Sequence, residues 1–353
     1  MYKILLAFII IPFLANSQVE ESIKKLDSFP NFGNQNSVEN WLESKKVPAI
    51  GIGVITEGKL NHINVYGQLK ENIKAPYNTI FRTASLTKPI YALLALKLIE
   101  NGDWDLDEPI YHYWVDPDIK NDPRHKKLTT RLILSHQTGF QNWRNMNASK
   151  KLEFHSNPGE KFTYSGEGIV YLKNALERKF DLPIEKLVDS LIFKPIEMTD
   201  SHLVWNAQME KKSNRYAYNH DNKGKLLKTD KVTDTNHMGN LLCTIEDYSK
   251  FVINIMEGAN ISKELFNEMV TVQIQTKKVS MGLGWELYQN FSNGEYVMIH
   301  TGGDPGVKTI AILLPKSKRG LLIFSNGESG YIEYWERIIK ETFDIGDEIW
   351  NRG

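Results

Sequence analysis

A single cysteine, Cys243, occurs in 353 residues. It excludes an intrachain disulfide, a paired-cysteine zinc site and a dithiol redox pair, so the chain must rely on its core for stability. Charge of either sign is equally lacking in excess. Lys+Arg and Asp+Glu both total 43, giving a formal net charge of zero, and no polybasic surface is available for a nucleic acid or an anionic membrane. With Gly 24 and Pro 13 the chain is neither collagen-like nor of low complexity. Several chemical signatures are missing too. There is no Gly-x-Ser-x-Gly elbow, no His-Glu-x-x-His pair and no Walker loop, and the nine histidines lack metal-ligand spacing.

Long apolar runs are scarce, and the one at the N-terminus is informative. Lys3 precedes an eleven-residue run from Ile4 to Leu14, and Ala15-Asn16-Ser17 follows with small residues. This is the pattern of a cleavable secretory signal over residues 1–17, too short for a spanning helix, which needs about 20 apolar residues. Its removal takes away one lysine and leaves a formal charge of −1. Gln18, not a cysteine, stands directly after the cleavage site. The expected product is periplasmic or secreted, with no membrane span in the mature chain.

What remains reads as one cooperative unit with two lobes. A short amphipathic helix over Ser37–Lys46 precedes two strand signals, Ala49–Ile55 and Leu60–Gly67. From Lys88 to Glu100 the chain is apolar almost all round and stops at Asn101-Gly102, which predicts a helix buried on every side. A stretch of helical runs (128–134, 169–179, 184–192) and long polar loops follows. Strand signals return at 296–300, 309–314 and 320–324, joined by turns at 302–306 and 316–320, and a helix over 331–343 closes the chain. Strands from both ends around a helical middle imply an α+β fold: one antiparallel sheet built from the two termini, flanked by helices, with a mostly helical lobe inserted. The expected boundaries are 35–82 and 247–353 for the sheet lobe and 83–246 for the helical lobe, within one domain over 18–353.

Three segments carry chemistry. The first is Phe81-Arg82-Thr83-Ala84-Ser85-Leu86-Thr87-Lys88-Pro89. Another Ser-x-x-Lys stands at Ser22–Lys25, but only here does proline fix a helix start, because proline is tolerated in the first helical turn. Ser85 then sits at a helix N-terminus with Lys88 one turn along on the same face. Burial and the positive helix end both disfavour an ammonium there, so a Ser-Lys nucleophile becomes possible. The second is Tyr164, in a glycine-bounded loop just before a helix, where packing alone is the plainer reading. The third is His300-Thr301-Gly302-Gly303, a strand running into glycines, whose edge admits a substrate backbone and whose N–H groups can polarise a carbonyl.

In this order, Ser85-Leu86-Thr87-Lys88, Tyr164-Ser165-Gly166 and His300-Thr301-Gly302 resemble the Ser-x-x-Lys, Tyr-x-Asn and Lys/His-Thr/Ser-Gly motifs of the serine β-lactamase and penicillin-binding-protein superfamily. The branch they resemble contains class C β-lactamases, D-aminopeptidases, DD-carboxypeptidases and related esterases. Leu132 to Gly139, Met238 to Phe251 and Gly282-Leu283-Gly284-Trp285, the last expected as a strand, resemble further stretches of that family, so the likeness covers about residues 35–343. It implies a β-lactamase/transpeptidase-like fold and an acyl-enzyme mechanism. Ser85 would be the nucleophile, and Lys88 and Tyr164 would share acid–base work. The N–H groups of Ser85 and Gly303 would form an oxyanion hole in the substrate-binding strand His300, Thr301, Gly302 and Gly303. No metal or organic cofactor is implied.

Two departures bear on substrate. Gly166 stands where the family has asparagine, removing an amide that holds the lysine and the substrate. His300 stands where efficient β-lactamases commonly have lysine, and an imidazole of ordinary pKa near 6.5 is mostly neutral at pH 7. Both favour a hydrolase of esters, amides or small peptides, cell-wall peptides included. The alternatives are a catalytically weak peptidoglycan- or peptide-binding protein and a class C-like β-lactamase. His136 is expected to brace loops, Trp143 and Tyr111 to line a pocket or pack in the core, and Cys243 to be a small buried hydrophobe.

Overall fold

The structure, a computed structural model, describes residues 31–236 and 239–352. The proposed signal segment 1–17 and Met238 lie outside the described residues.

The chain opens with α1 (Gln35–Lys45), β1 (Ala49–Thr56), β2 (Lys59–Lys70), β3 (Ile73–Lys74) and β4 (Phe81–Arg82), then a 3₁₀ turn over Ala84–Leu86 that leads into α2 (Thr87–Glu100). The middle contains α3 (Thr130–Leu134), α4 (Gly166–Phe180), α5 (Ile184–Val188), α6 (Ala207–Lys211) and β5 (Leu242–Cys243). Then come α7 (Ile245–Met256), α8 (Lys263–Met269), β6 (Ile274–Gln275), β7 (Ser280–Met281), β8 (Glu286–Tyr288), β9 (Val297–Asp304), β10 (Val307–Leu314), β11 (Arg319–Ser325), α9 (Tyr331–Thr342) and α10 (Gly346–Arg352).

The main sheet has the order β3-β2-β1-β11-β10-β9-β8-β7-β6, antiparallel throughout. N-terminal β1 pairs directly with C-terminal β11, Ile52 opposite Ile323. The expected assembly of one sheet from both ends of the chain is therefore what forms. Alternation divides the side chains between two cores. Ile310, Ile312, Leu321 and Ile323 join Val38, Trp41 and Leu42 of α1 and Tyr334, Trp335 and Ile338 of α9. Ala311, Leu313, Leu322 and Phe324 join α2 and α7 on the opposite face. A sheet covered on both faces requires strands apolar at successive positions, which is why β10 and β11 read as continuous hydrophobic runs.

β1 solves the same problem with glycine. A Cβ on Gly53 would lie 2.6 Å from Cγ2 of Ile245, and one on Gly51 would lie 3.0 Å from Cγ1 of the same residue. The Ala-Ile-Gly-Ile-Gly alternation therefore faces isoleucines to one core and leaves a bare seat for the start of α7. Thr244 caps that helix, its Oγ1 accepting from the Asp247 N–H at 3.1 Å, an arrangement worth ~1 kcal/mol. β4 and β5 pair where the chain leaves the sheet and returns. The helix expected from Lys88 is buried almost all round, with Ile90 to Leu96 at 1% exposure or less.

Two local expectations are corrected. The segment 302–306 is not all turn: β9 continues through Gly302 and Gly303 to Asp304, and Pro305-Gly306 alone makes the hairpin connection. Pairing with β10 supplies the ladder bonds that offset the low strand propensity of the glycines. Gly282–Trp285 is not a strand but the link between β7 and β8. Gly284 has φ +81°, and a Cβ there would lie 2.4 Å from Cβ of Ala92, so this loop turns in order to sit on α2. The short strands β6 to β8, two or three residues each, are too short to carry a sequence signal of their own, and only β8 of the three pairs with β9.

Candidate active site

The 3₁₀ turn Ala84–Leu86 and the first turn of α2 bring Ser85 and Lys88 together. In a 3₁₀ turn residues three apart eclipse, and Lys88 Nζ donates to Ser85 Oγ at 2.8 Å. Lys88 is 2% exposed whereas Ser85 is half-buried. Placing an amine so deep costs several kcal/mol unless its polar end is held. The Ser85 hydroxyl holds it, with the Tyr164 ring centroid 5.1 Å from Nζ.

The turn itself is held in an unusual shape. Ala84, fully buried, has φ +48°, a left-handed conformation that costs an alanine about 1–2 kcal/mol. Its surroundings over-determine it. Thr87 Oγ1 donates to the Ala84 carbonyl at 2.7 Å, Leu86 N–H to the Thr83 carbonyl at 3.2 Å, and Tyr248 Oη to the Leu86 carbonyl at 2.9 Å. Nothing in the sequence around Ala84 announces this, since the signal is a lack of glycine where one is conformationally preferred.

Tyr164 reaches the pair through a second clamp, His136. The Thr163 N–H donates to the His136 carbonyl at 2.8 Å, and the Ser165 N–H to His136 Nδ1 at 3.1 Å. The two bonds bracket Tyr164, whose ring lies 4.3 Å from the imidazole, centroid to centroid. Because Nδ1 accepts, the ring proton belongs on Nε2. Burial, reinforced by Lys88 and His300, holds the His136 pKa well below its ordinary value. The residue is 1% exposed and neutral. The expected bracing role is thus given a definite object.

β9 forms the opposite wall. Its pairing with β8 stops at Ile299, so the edge from His300 to Asp304 has no strand on that side among the described residues. Gly302 docks this strand on the Ser85 turn. A Cβ there would lie 2.2 Å from Thr309 Oγ1, 2.4 Å from the Thr83 carbonyl oxygen and 3.2 Å from the Ser85 nitrogen. Only glycine allows so close an approach, and Gly303 follows it directly. Arg82 and Asp304 pair at 3.0 Å across the same junction. His300 is 3% exposed, its Nδ1 2.9 Å from the Thr301 carbonyl and its ring edge-on to Trp285. Burial, with Lys88 adding to it, brings its pKa down to about 3. His300 is uncharged through the physiological range, more firmly than its ordinary pKa implied.

The structure therefore brings together Ser85, Lys88, Tyr164, His300 and Gly302. Thr301 and Gly303 lie on the exposed part of the same edge. Trp143 packs against the core, as one of its two expected roles had it, and also fills the space beside Gly166, a contact that sequence reasoning missed. A Cβ on Gly166 would lie 2.6–2.9 Å from three atoms of the Trp143 indole. Tyr111 packs on His112 and His125. Cys243 is buried in β5 with its thiol pKa raised by burial, as befits a small core residue. No group of three His, Cys, Asp or Glu residues that could hold a metal occurs among the described residues, nor is any helix among them long and apolar enough to cross a membrane.

A nine-stranded antiparallel sheet with an inserted helical region, and a Ser-x-x-Lys pair facing a strand edge, define the β-lactamase/transpeptidase-like fold and a serine hydrolase of the β-lactamase and penicillin-binding-protein kind. The chain matches the Beta-lactamase family model over residues 34–341 and belongs to that family. It is 24% identical over 318 residues to penicillin-binding protein 4* of Bacillus subtilis, covering 81% of this chain and 69% of that one. To protein flp of Staphylococcus aureus it is 21% identical, covering 84% and 63%. Among solved structures it is similar to the octameric penicillin-binding-protein homologue of Pyrococcus abyssi, with TM-score 0.70, 23% identity and coverage of 87% of this chain and 74% of that one. It is similar also to a D-alanine carboxypeptidase AmpC of Burkholderia cenocepacia, with TM-score 0.70, 17% identity and coverage of 90% and 96%. A class C β-lactamase gives TM-score 0.71, 16% identity and coverage of 90% and 93%.

Proposed function

We propose that this protein is an exported serine hydrolase that cleaves ester, amide or small peptide bonds through an acyl-enzyme on Ser85. The observation that carries the reading is the 2.8 Å contact between the hydroxyl of half-buried Ser85 and the buried Lys88 amine. In its neutral form Nζ takes the Oγ proton as the hydroxyl attacks the substrate carbonyl. Tyr164, whose ring lies beside Nζ and the His136 imidazole, passes a proton to the leaving group. The N–H groups of Ser85 and Gly303 stabilise the oxyanion, each such donor being worth about 3 kcal/mol, a role supported by the seating of Gly302 against the Ser85 nitrogen. Water then attacks the ester at Ser85 and releases the acid.

The neutral, buried His300 argues against charge-based anchoring of a substrate carboxylate, and so against an efficient β-lactamase. Export rests on the N-terminal segment and is tested by N-terminal sequencing of protein recovered outside the cytoplasm. For the chemistry, a fluorophosphonate or an activated ester should label wild type and leave Ser85→Ala unlabelled. Equal labelling of both would remove the proposal. Saturable peptide binding by wild type with no Ser85-dependent turnover would favour the binding-protein alternative.

A further inference from the structure

Residue 166 has no side chain, yet the space of that side chain is filled. Three indole atoms of Trp143 stand 2.6–2.9 Å from where a Cβ on Gly166 would be. Ser165 is extended, with φ −141° and ψ 113°, so positions 164 and 166 project to the same side of the chain. The Tyr164 ring on that side lies beside Lys88. The indole therefore lies in the direction of the Ser85 site.

The segment that carries Trp143 is fastened on both sides. Asn142 Oδ1 accepts from the Gly166 N–H at 2.8 Å, and the Asn142 carbonyl accepts from the Glu167 N–H at 3.0 Å. On the far side the Arg144 N–H donates to Glu167 Oε1 at 2.9 Å, and the guanidinium pairs with both oxygens of that carboxylate, at 3.1 and 2.8 Å. Asp116 and Asp118 hold the same guanidinium at 2.9 and 3.2 Å. Glu167 is 5% exposed, and bidentate pairing of this kind fixes geometry as well as charge. Asn142-Trp143-Arg144 and Gly166-Glu167 thus recognise each other, and the tryptophan between two anchored neighbours has a defined position.

We infer that Trp143 is a specificity-determining residue: its indole replaces a side chain at 166 as one wall of the acyl pocket, and it selects apolar acyl groups over those that need an amide partner. This rests on the Ser85 acyl-enzyme reading. An indole presents a broad apolar face where an amide would present a donor and an acceptor. An acyl chain of aliphatic or aromatic character gains contact there, whereas an acylamido group loses its hydrogen bonds.

The test uses two esters of one leaving group, p-nitrophenyl butyrate and p-nitrophenyl N-acetylglycinate, on the full chain and its variants. Trp143→Ala should lower kcat/KM for the butyrate about tenfold, within the 10–200-fold range of apolar pocket contacts, and change the N-acetylglycinate value less than threefold. Gly166→Asn alone should lower Tm, since amide and indole claim the same volume. Trp143→Ala/Gly166→Asn should recover that Tm and shift the selectivity ratio toward the N-acetylglycinate by at least tenfold. An unchanged ratio in Trp143→Ala, or a Gly166→Asn protein with wild-type Tm and ratio, overturns the inference. Fluorophosphonate labelling of wild type and Ser85→Ala separates the two readings: labelling that does not depend on Ser85 refutes the acyl-enzyme itself, whereas Ser85-dependent labelling with unchanged selectivity refutes only the role of Trp143.

Discussion

Gly302→Ala tests the docking of β9 on the turn that carries Ser85. The new Cβ would stand 2.2 Å from Thr309 Oγ1 and 2.4 Å from the Thr83 carbonyl oxygen, inside the 3.0 Å below which real Cβ contacts essentially never fall. One of these neighbours is backbone and cannot be moved by a rotamer change. The strand must therefore withdraw from the turn or the turn from the strand. Overpacking of this kind costs about 1–3 kcal/mol, which at about 2 °C per kcal/mol for a large domain lowers Tm by roughly 2–6 °C. The effect on activity should be larger. Gly302 also stands against the Ser85 nitrogen, so withdrawal separates the two proposed oxyanion donors, and a displacement of about 1 Å in a reacting constellation costs on the order of 10²-fold in rate. The assay is kcat/KM on an activated ester, with Tm on the same samples. Gly302→Ala/Thr309→Ala adds a discriminating control: removing Oγ1 relieves one clash and leaves the backbone oxygen, so it should restore activity only a few-fold. A Gly302→Ala protein with wild-type kcat/KM would refute the assignment of Gly302 as the seat of β9.

Two further outcomes follow from the histidines. At His136, an asparagine offers its Oδ1 to the Ser165 N–H and tolerates the φ of +57°, whereas alanine leaves that buried N–H unpaired at a cost of about 1–3 kcal/mol. His136→Ala should then lose more stability than His136→Asn, read as urea midpoints, and the reverse order would contradict the clamp. His300 and His202 have pKa values brought down to about 3 and about 4, and His136 is also well below its ordinary value, in each case chiefly through burial. Between pH 6.5 and those values the unfolded chain binds more protons than the folded one, so stability is full above pH 6.5 and falls as the pH drops below it. The slope should approach ~1.4 kcal/mol per pH unit for each such histidine. Urea denaturation at pH 7.5, 6 and 5 measures it, and equal stability at all three would disprove the neutral buried state.

The order of strands and helices was legible because burial leaves direct traces. Apolar runs marked the principal strands, and Pro89 behind a Ser-x-x-Lys marked a helix start. The misses have a common cause. Gly302 and Gly303 look like a turn by local propensity, but β10 pairs with them; Gly282–Trp285 was expected as a strand through the family resemblance, but contact with α2 requires it to turn. Ala84 carries no mark of its left-handed backbone, because three hydrogen bonds from residues as distant as Tyr248 impose it.

By itself, the sequence determined which chemical groups exist and on which local elements they lie: a serine and a lysine one helical turn apart, a tyrosine ahead of a helix, a histidine on a glycine-ended strand. These are short-range facts, fixed by spacing and backbone preference. Tertiary structure alone decided their environment. Burial made His300 neutral, the His136 clamp directed Tyr164 toward Lys88, and packing put the indole of Trp143 into the space left by Gly166. Such properties depend on atoms far apart in the chain excluding water and one another, and no local pattern records which distant residue will arrive.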